Sequence, residues 1–490
     1  MNPQMVLIPI LLPIACGLLL YSQHEMEERT RRIFLLASAC VTSIYVWVIL
    51  LHGPTGVYTL YRFVQGFSID FCVDVPAMIF AGMVSVMWPF LLLYGYAYME
   101  HEHHKNSFFS FYLMTYGITL GLAFSASIVT MFVFYEMLTL VTLPLVIHYR
   151  DRDSIYAAQK YAAYLLVGAA LAFVAVILVT LNGNEGVFIL GGSLAGNYDK
   201  DLLRLAFLCG FFGFGTKAAV FPLYDWLPTA SIAPTPVTSL LHAVAVVNSG
   251  AFAVMRLIYY SCGTELLAGT WEQNIALLFS AFTIAFSALQ ALRERHFKRR
   301  LAFSTSSNLS YMLFGFSCMT AQGFIGGLSH LLFHGMIKMV LFMCAGAFMT
   351  QTGKAYIYEV NGAGRKMPWV FGLFTLSAIG LIGFPMTSGF VSKYHLVMAG
   401  LEQGTGFGVV GVVCLIISAV LCSIYTLTIS VRAFFPPKGQ DRFAHGEKIS
   451  EPGLLMLVPM GLFVFFTYAF GMWPGGVLRL IGSVVGVVNP

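Results

Sequence analysis

Residues 215–228 read GTKAAVFPLYDWLP, an apolar run that carries a lysine and a proline where an uninterrupted helix is expected. Pro222 removes a backbone donor and clashes with the preceding turn, so it breaks a helix and frees backbone groups. Residues 379–393, IGLIGFPMTSGFVSK, repeat the pattern, with a break around Gly383, Pro385 and Gly389 followed by Lys393. At membrane depth, freed backbone groups must be buried in protein or line a wet cavity. Paired broken helices point to a transport site. Two unrelated proline kinks are the simpler alternative. The lysine beside each break favours matching halves.

The rest of the chain supplies the membrane context. Of its 490 residues, 58% are hydrophobic and only 10% are charged, which excludes an ordinary soluble protein. A spanning helix needs about 20 apolar residues. Fourteen stretches qualify: 4–21, 33–51, 76–98, 107–126, 127–148, 157–182, 202–221, 236–261, 272–292, 301–319, 324–349, 369–395, 406–432 and 453–477. The predicted fold class is an all-α integral membrane protein of about 14 transmembrane helices, the seventh and twelfth broken. These runs are continuous rather than alternating, which argues against a β-barrel. The two breaks lie five spans apart, and an odd offset inverts topology, so they fit two inverted repeats. The chain divides into N-terminal helices (1–106), a first repeat (107–261), a second repeat (272–432), and a closing loop and helix (433–490). The longest polar connections are 52–75, 183–201 and 433–452, and no soluble domain is expected.

Charge sets the orientation. Nineteen of the 27 lysines and arginines fall in the odd-to-even connections or at the span edges beside them, and four in or beside the opposite ones. The remaining four, Lys217, Arg256, Lys338 and Lys393, fall inside spans. The positive-inside rule then puts both termini outside a prokaryotic-type cytoplasmic membrane. The net charge of +5 follows from these connections, so no nucleic-acid partner is needed. The N-terminus lacks the basic region of a secretory signal, and its first run is read as a retained span. Nine scattered cysteines show no CxxC spacing, so neither an iron–sulfur cluster nor a disulfide is expected. No nucleotide fingerprint appears either, and no cofactor, metal or redox centre is expected in this chain.

Charge inside a span costs about 2.5–3.5 kcal/mol per residue on insertion scales. Such groups persist as carriers of protons or ions, or as clamps between helices. Glu136, in MFVFYEMLTLVTLPLV, is the one carboxylate well inside a span, and Lys217 is its expected ion-pair partner. A lysine held out of water can alternate between charged and neutral forms, which makes Lys217 a candidate proton carrier. Asp225 follows the break and is read as a structural partner of an interfacial group. His242, in the eighth span, can relay protons, and Ser239, Asn248 and Ser249 surround it with polar positions. Arg256 is expected to snorkel to the outer face as an anchor.

The most specific pattern is LSHLLFHGMIKMVLF at 328–342. His330, His334 and Lys338 recur every four residues and form one stripe on a helix, about 6 Å apart per step. Two histidines on one face also suit a metal, but a third protein ligand is missing, so a proton relay is the better reading. Lys393 extends the stripe toward one aqueous side; a snorkelling lysine is its alternative. HEHH at 101–104 lacks the zinc-protease spacing and is read as a solvated loop. The Gly-rich stretch 183–196 has no strand–helix context for a dinucleotide.

These residues resemble the antiporter-like membrane subunits shared by respiratory complex I, energy-converting membrane hydrogenases and Mrp-type sodium/proton antiporters. The resemblance rests on FYEMLTLVTLPLV (134–146), GTKAAVFPLYDWLP (215–228), APTPVTSLLHAVAVVNSGAF (233–252), FKRRLAFSTSSNLSYM (297–312), HLLFHGMIKMVLF (330–342) and GFPMTSGFVSK (383–393). The third and fifth are more similar to the largest such subunit than to its smaller siblings. The resemblance implies fourteen core helices in two inverted five-helix repeats. It implies that Glu136 modulates Lys217, that His242, His330, His334 and Lys338 form a central hydrophilic axis, and that Lys393 is the terminal lysine. Tyr135 stands where the family often has Trp, Thr229 replaces the acid of its LPDA segment, and His296 replaces the Asp of its DIKR segment. The long lateral helix of the largest members is not expected here.

Three functions are weighed on this basis. The first is a proton-translocating subunit of a redox-driven complex, of the complex I or hydrogenase kind. The second is an Mrp-type sodium/proton antiporter subunit, and the third a proton-coupled partner of solute uptake, such as inorganic carbon. Partners are other membrane subunits, the lipid bilayer, and protons or sodium.

Overall fold

Apolar runs of helical length dominate the chain, and helices dominate its fold. The computed structural model describes residues 3–486 except 24, 25, 54, 55, 65, 101, 184, 185, 197 and 444–448. His101 of the HEHH stretch, Asn184 and Glu185 of the Gly-rich stretch, and Lys448 of the last basic loop lie outside the described residues.

The helices run in chain order as α1 (Leu7–Ser22), α2 (Glu28–His52), α3 (Val75–Tyr98), α4 (Lys105–Ala123), α5 (Ile128–Val146), α6 (Arg152–Asn182) and α7 (Lys200–Gly215). There follow α8 (Trp226–Ala230), α9 (Thr235–Ser239), α10 (Val246–Arg256), α11 (Thr264–Leu267), α12 (Trp271–Arg293), α13 (Phe297–Cys318) and α14 (Ala321–Thr352). The last are α15 (Ala363–Lys366), α16 (Pro368–Ile382), α17 (Ser388–Glu402), α18 (Gly406–Phe434), α19 (Leu454–Met472) and α20 (Gly475–Val485). Among the described residues, ten helical segments are long and apolar enough to cross a membrane. The other four predicted stretches also hold helices. Hydroxyl-bearing residues make α4 and α13 more polar, while breaks shorten α7 and the α16–α17 pair.

Local chemistry sets many starts. Asp74, Ser127, Asp151 and Thr270 accept from backbone N–H groups in the first turns of α3, α5, α6 and α12, as N-cap side chains do. The all-α expectation needs one correction. Tyr58–Val64 (β1) and Phe67–Phe71 (β2) pair antiparallel in the connection expected to be a loop. Their aromatic and β-branched residues suit a pleated surface. Asp70 in β2 accepts from Thr59 Oγ1 at 2.6 Å and from Ser68 Oγ.

α14 and the Thr235–Cys262 segment sit at the centre, with the most apolar window of each completely buried. The corresponding windows of α2, α6 and α18 are mostly uncovered and form the flanks. A helix buried on all sides in an apolar shell has no solvated face for its polar residues, so those residues must meet one another.

Candidate functional site

The first break begins earlier than expected. α7 ends at Gly215, and residues 216–225 turn without continuing it, so Lys217 stands in the break rather than in the helix ahead of Pro222. The carbonyls released there have partners. Tyr135 Oη donates to Gly213 O and Phe214 O at 3.3 and 3.0 Å. Trp226 Nε1 donates to Thr216 O at 2.9 Å, and Ser306 Oγ to Ala219 O at 3.0 Å. This satisfaction is what permits irregular backbone inside a membrane. Tyr135 thus does structural work at the position where the family often carries Trp.

Lys217 is fully buried and donates to the Tyr135 carbonyl, with its ammonium 3.5 Å from the centre of the Tyr135 ring. The expected ion pair with Glu136 does not form within 4 Å. The carbonyl and the ring face hold the ammonium instead. Glu136 Oε1 is buried without a hydrogen-bond partner, yet the two groups are near enough for their charges to interact.

The eighth predicted span is not a uniform α-helix. It passes from α9 into a π-turn, Leu240–Val244, then α10, then a second π-turn, Leu257–Cys262. Such turns widen a helix locally and recur at functional sites. His242 lies in the first π-turn, fully buried, and neither ring nitrogen has a hydrogen-bond partner. Asn248 Nδ2 donates to Ala243 O at 2.8 Å, and Gly335 of α14 packs against the same carbonyl. His242 therefore meets α14 beside its polar stripe, and its ring lies 4.9 Å from that of Phe342.

On α14, His330, His334 and Lys338 are all buried on one face. The two imidazoles lie 5.6 Å apart, centre to centre, at an interplanar angle of 21°. His330 Nδ1 shares a 2.8 Å hydrogen bond with Ser392 Oγ, while His330 Nε2 and both nitrogens of His334 have none. Lys338 Nζ donates to Leu301 O at 3.0 Å. The paired imidazoles, the π-turn carbonyl packed against Gly335 and the His330–Ser392 bond to α17 bring the stripe, the π-turn and α17 together.

The second break closes this cluster. α16 ends at Ile382, Gly383 takes a left-handed conformation (φ 89°), and α17 starts at Ser388, with Pro385 between them. Lys393 Nζ donates to Leu381 O at 2.6 Å and Ile382 O at 3.0 Å. It caps the carbonyl end of α16, where a cation is stabilised by the helix dipole. A snorkelling lysine would turn away from these carbonyls. A Cβ added at Gly389 would fall 2.0 Å from Gly380 O, so α16 and α17 meet backbone to backbone.

Two readings of the cations need correction. Arg256 does not snorkel: it is fully buried and pairs with both oxygens of Asp74 at 2.5 and 2.7 Å, flanked by the rings of Phe188, Phe252 and Tyr260. An aromatic cage and a bidentate carboxylate hold an arginine better than the interface does. Lys298, counted among the loop cations, is 3% exposed and donates to Ala233 O at 2.8 Å. His296 starts α13 at Phe297 by accepting from Arg299 N, which turns Lys298 inward. Helical period is the signal that marks it, since Lys298, Leu301 and Thr305 share the buried face. Asp225 does have a structural partner, Lys160 Nζ at 2.5 Å.

The chain is similar to known proteins in sequence and fold. The family model described as NADH:quinone oxidoreductase/Mrp antiporter, TM, matches residues 125–418, which hold every residue of the cluster. The chain is 28% identical over 500 residues to F(420)H(2) dehydrogenase subunit L of Methanosarcina mazei, covering 95% of this chain and 73% of that one. It is also 28% identical over 461 residues to NADH-quinone oxidoreductase subunit N of Desulforudis audaxviator, covering 91% and 89%. Identity therefore does not favour the longer kind of subunit over the shorter. A chain of the membrane-bound sulfane sulfur reductase, an archaeal respiratory membrane complex, superposes with a TM-score of 0.86 at 21% identity, covering 99% of this chain and 98% of that one. The protein is a multi-pass membrane protein and belongs to the NADH:quinone oxidoreductase/Mrp antiporter transmembrane family.

Proposed function

We propose that this chain is the proton-translocating subunit of a redox-driven membrane complex, moving protons along Glu136, Lys217, His242, Lys338, His334, His330 and Lys393. The reading includes fourteen spans with two inverted repeats, 107–261 and 272–432, other membrane subunits as partners, and both termini outside an inner membrane. The observation that carries it is the way three lysines, Lys217 and Lys338 buried and Lys393 half-buried, are held. Lys217, Lys338 and Lys393 each donate to backbone carbonyls rather than to a carboxylate. A carbonyl accepts from the ammonium but does not fix its charge as an ion pair does. A lysine so held releases its proton more readily than one locked to a carboxylate.

Histidines with free ring nitrogens lie between Lys217 and Lys393 in the path. A buried polar atom without a partner costs about 1–3 kcal/mol. Water in the polar interior offsets that cost and carries protons between rings. The Glu136–Lys217 interaction is the natural control point. Two unit charges 4 Å apart interact by about 4 kcal/mol at an effective dielectric constant of 20. Moving one charge against 100 mV needs about 2.3 kcal/mol. A modest change in their separation thus supplies energy on the scale of one translocated proton.

An Mrp-type antiporter is the second reading, favoured by a family that spans both kinds of protein. A sodium site needs several oxygen ligands, and the sequence places one carboxylate, Glu136, well inside a span. Proton uptake by vesicles containing the intact complex, with and without sodium, separates the two. Flux should continue without sodium and fall at least tenfold in Lys338→Arg, which keeps the charge but holds its proton. Flux that requires sodium, or an arginine variant as active as the parent, contradicts the proposal.

A further inference from the structure

Glu102, His103 and His104 of the HEHH stretch, unused by the translocation path, border a cavity of about 670 Å³ at the end of the bundle where the α1–α2, α3–α4 and α5–α6 connections meet. Among the described residues, Arg31, Lys105 and Arg150 line it with His103, His104 and one carboxylate, Glu102. The Arg31 side chain is only 10% exposed. Its Nη1 donates to Asn106 Oδ1 at 3.1 Å, Nη2 faces Glu28 at 3.6 Å, and Nε has no partner. Glu28 also lies 3.4 Å from Lys105 Nζ, which donates to Glu100 O at 2.5 Å. Arg150 is exposed, in a left-handed conformation (φ 55°). Among the described residues its guanidinium forms no hydrogen bond or ion pair.

The same cavity receives the start of α4. Its N-cap, His104, also takes a left-handed conformation (φ 57°), and its side chain caps no backbone N–H. The first-turn residues Lys105, Asn106 and Ser107 line the cavity. Three permanent cations therefore face Glu102 and Glu28, together with a positive helix end. That surplus suits an oxyanion. Guanidinium forks match phosphate oxygens, and helix N-termini bind them through backbone N–H groups.

We propose that this cavity binds a phosphate group. Two sources carry that chemistry, an anionic phospholipid headgroup and free phosphate. The place favours the headgroup. Basic pockets between membrane helices on the Lys/Arg-rich side take anionic headgroups, and this cavity is built from three of the odd-to-even connections in which the sequence concentrates its lysines and arginines. Tyr21, 56% exposed, stands at its rim as interfacial aromatics do.

The test uses the delipidated full-length chain, titrated with phosphatidylglycerol, phosphatidylcholine or inorganic phosphate, with bound ligand read by native mass spectrometry. Phosphatidylglycerol should bind at least fivefold more tightly than phosphatidylcholine, and Arg150→Gln and Arg31→Gln should each abolish the preference. Arg150 is exposed, so its variant tests the site even where Arg31→Gln fails to fold. Inorganic phosphate binding that is lost in Arg150→Gln upholds the site and assigns it to the free anion. Equal binding of both lipids with no phosphate bound, or a preference unchanged in Arg150→Gln, overturns the proposal.

Discussion

A lysine and an arginine at membrane depth meet different fates in this chain, and their chemistry explains why. Arg256 cannot give up its proton, and it is locked to Asp74 among aromatic rings. Lys217, Lys338 and Lys393 can give theirs up, and none is locked to a carboxylate. The Asp74–Arg256 pair is accordingly a clamp. Asp74→Ala should lower stability by about 2–4 kcal/mol, somewhat under the figure for a fully buried pair because Asp74 is 30% exposed. Unfolding midpoints in detergent check this; an unchanged midpoint contradicts it. The lysines were legible in the sequence because a charge within an apolar run is a local signal. The clamp was not, because its partners lie 182 residues apart. Lys298 was missed because the FKRR run reads as a loop until the His296 cap makes it a first helical turn.

At the scale of elements, breaks and caps decide the architecture. Both broken helices could be read from proline and glycine placement, but not where the first one starts. The helix can stop at Gly215 because Tyr135 donates to its last carbonyls and Trp226 to the Thr216 carbonyl just beyond, and those contacts are tertiary. Gly389→Ala should cost about 1–3 kcal/mol, since its Cβ meets a backbone oxygen that cannot move away. Gly372→Ala, with nothing within 4 Å of the added atom, should cost nothing in the same unfolding measurement. The cap of α13 responds to pH. Burial, then the Lys298 charge, pushes the His296 imidazole down to about 4. The unfolded chain, with an ordinary histidine near 6.5, binds the extra proton between these values. Stability therefore rises with pH across about 4 to 6.5 and levels off above. His296→Asp should remove this loss at pH 5 and change little at pH 8; parallel pH profiles for the two proteins contradict the assignment.

At the scale of the whole molecule, polar residues gather in a buried centre. The membrane class and the members of the stripe could be read from apolar length and four-residue spacing. The β1–β2 hairpin and the two π-turns could not, because short aromatic runs and helix widening leave no distinct periodicity. The meeting of His242 with the α14 stripe depends on one of those π-turns. We propose that Lys217 passes protons into this centre under the control of Glu136. The most direct test is Lys217→Ala in the intact complex, reconstituted in vesicles and energised by its own electron donor, with protons moved per electron measured. A ratio reduced at least tenfold while assembly is retained is the predicted result, and a ratio equal to that of the parent would contradict the account.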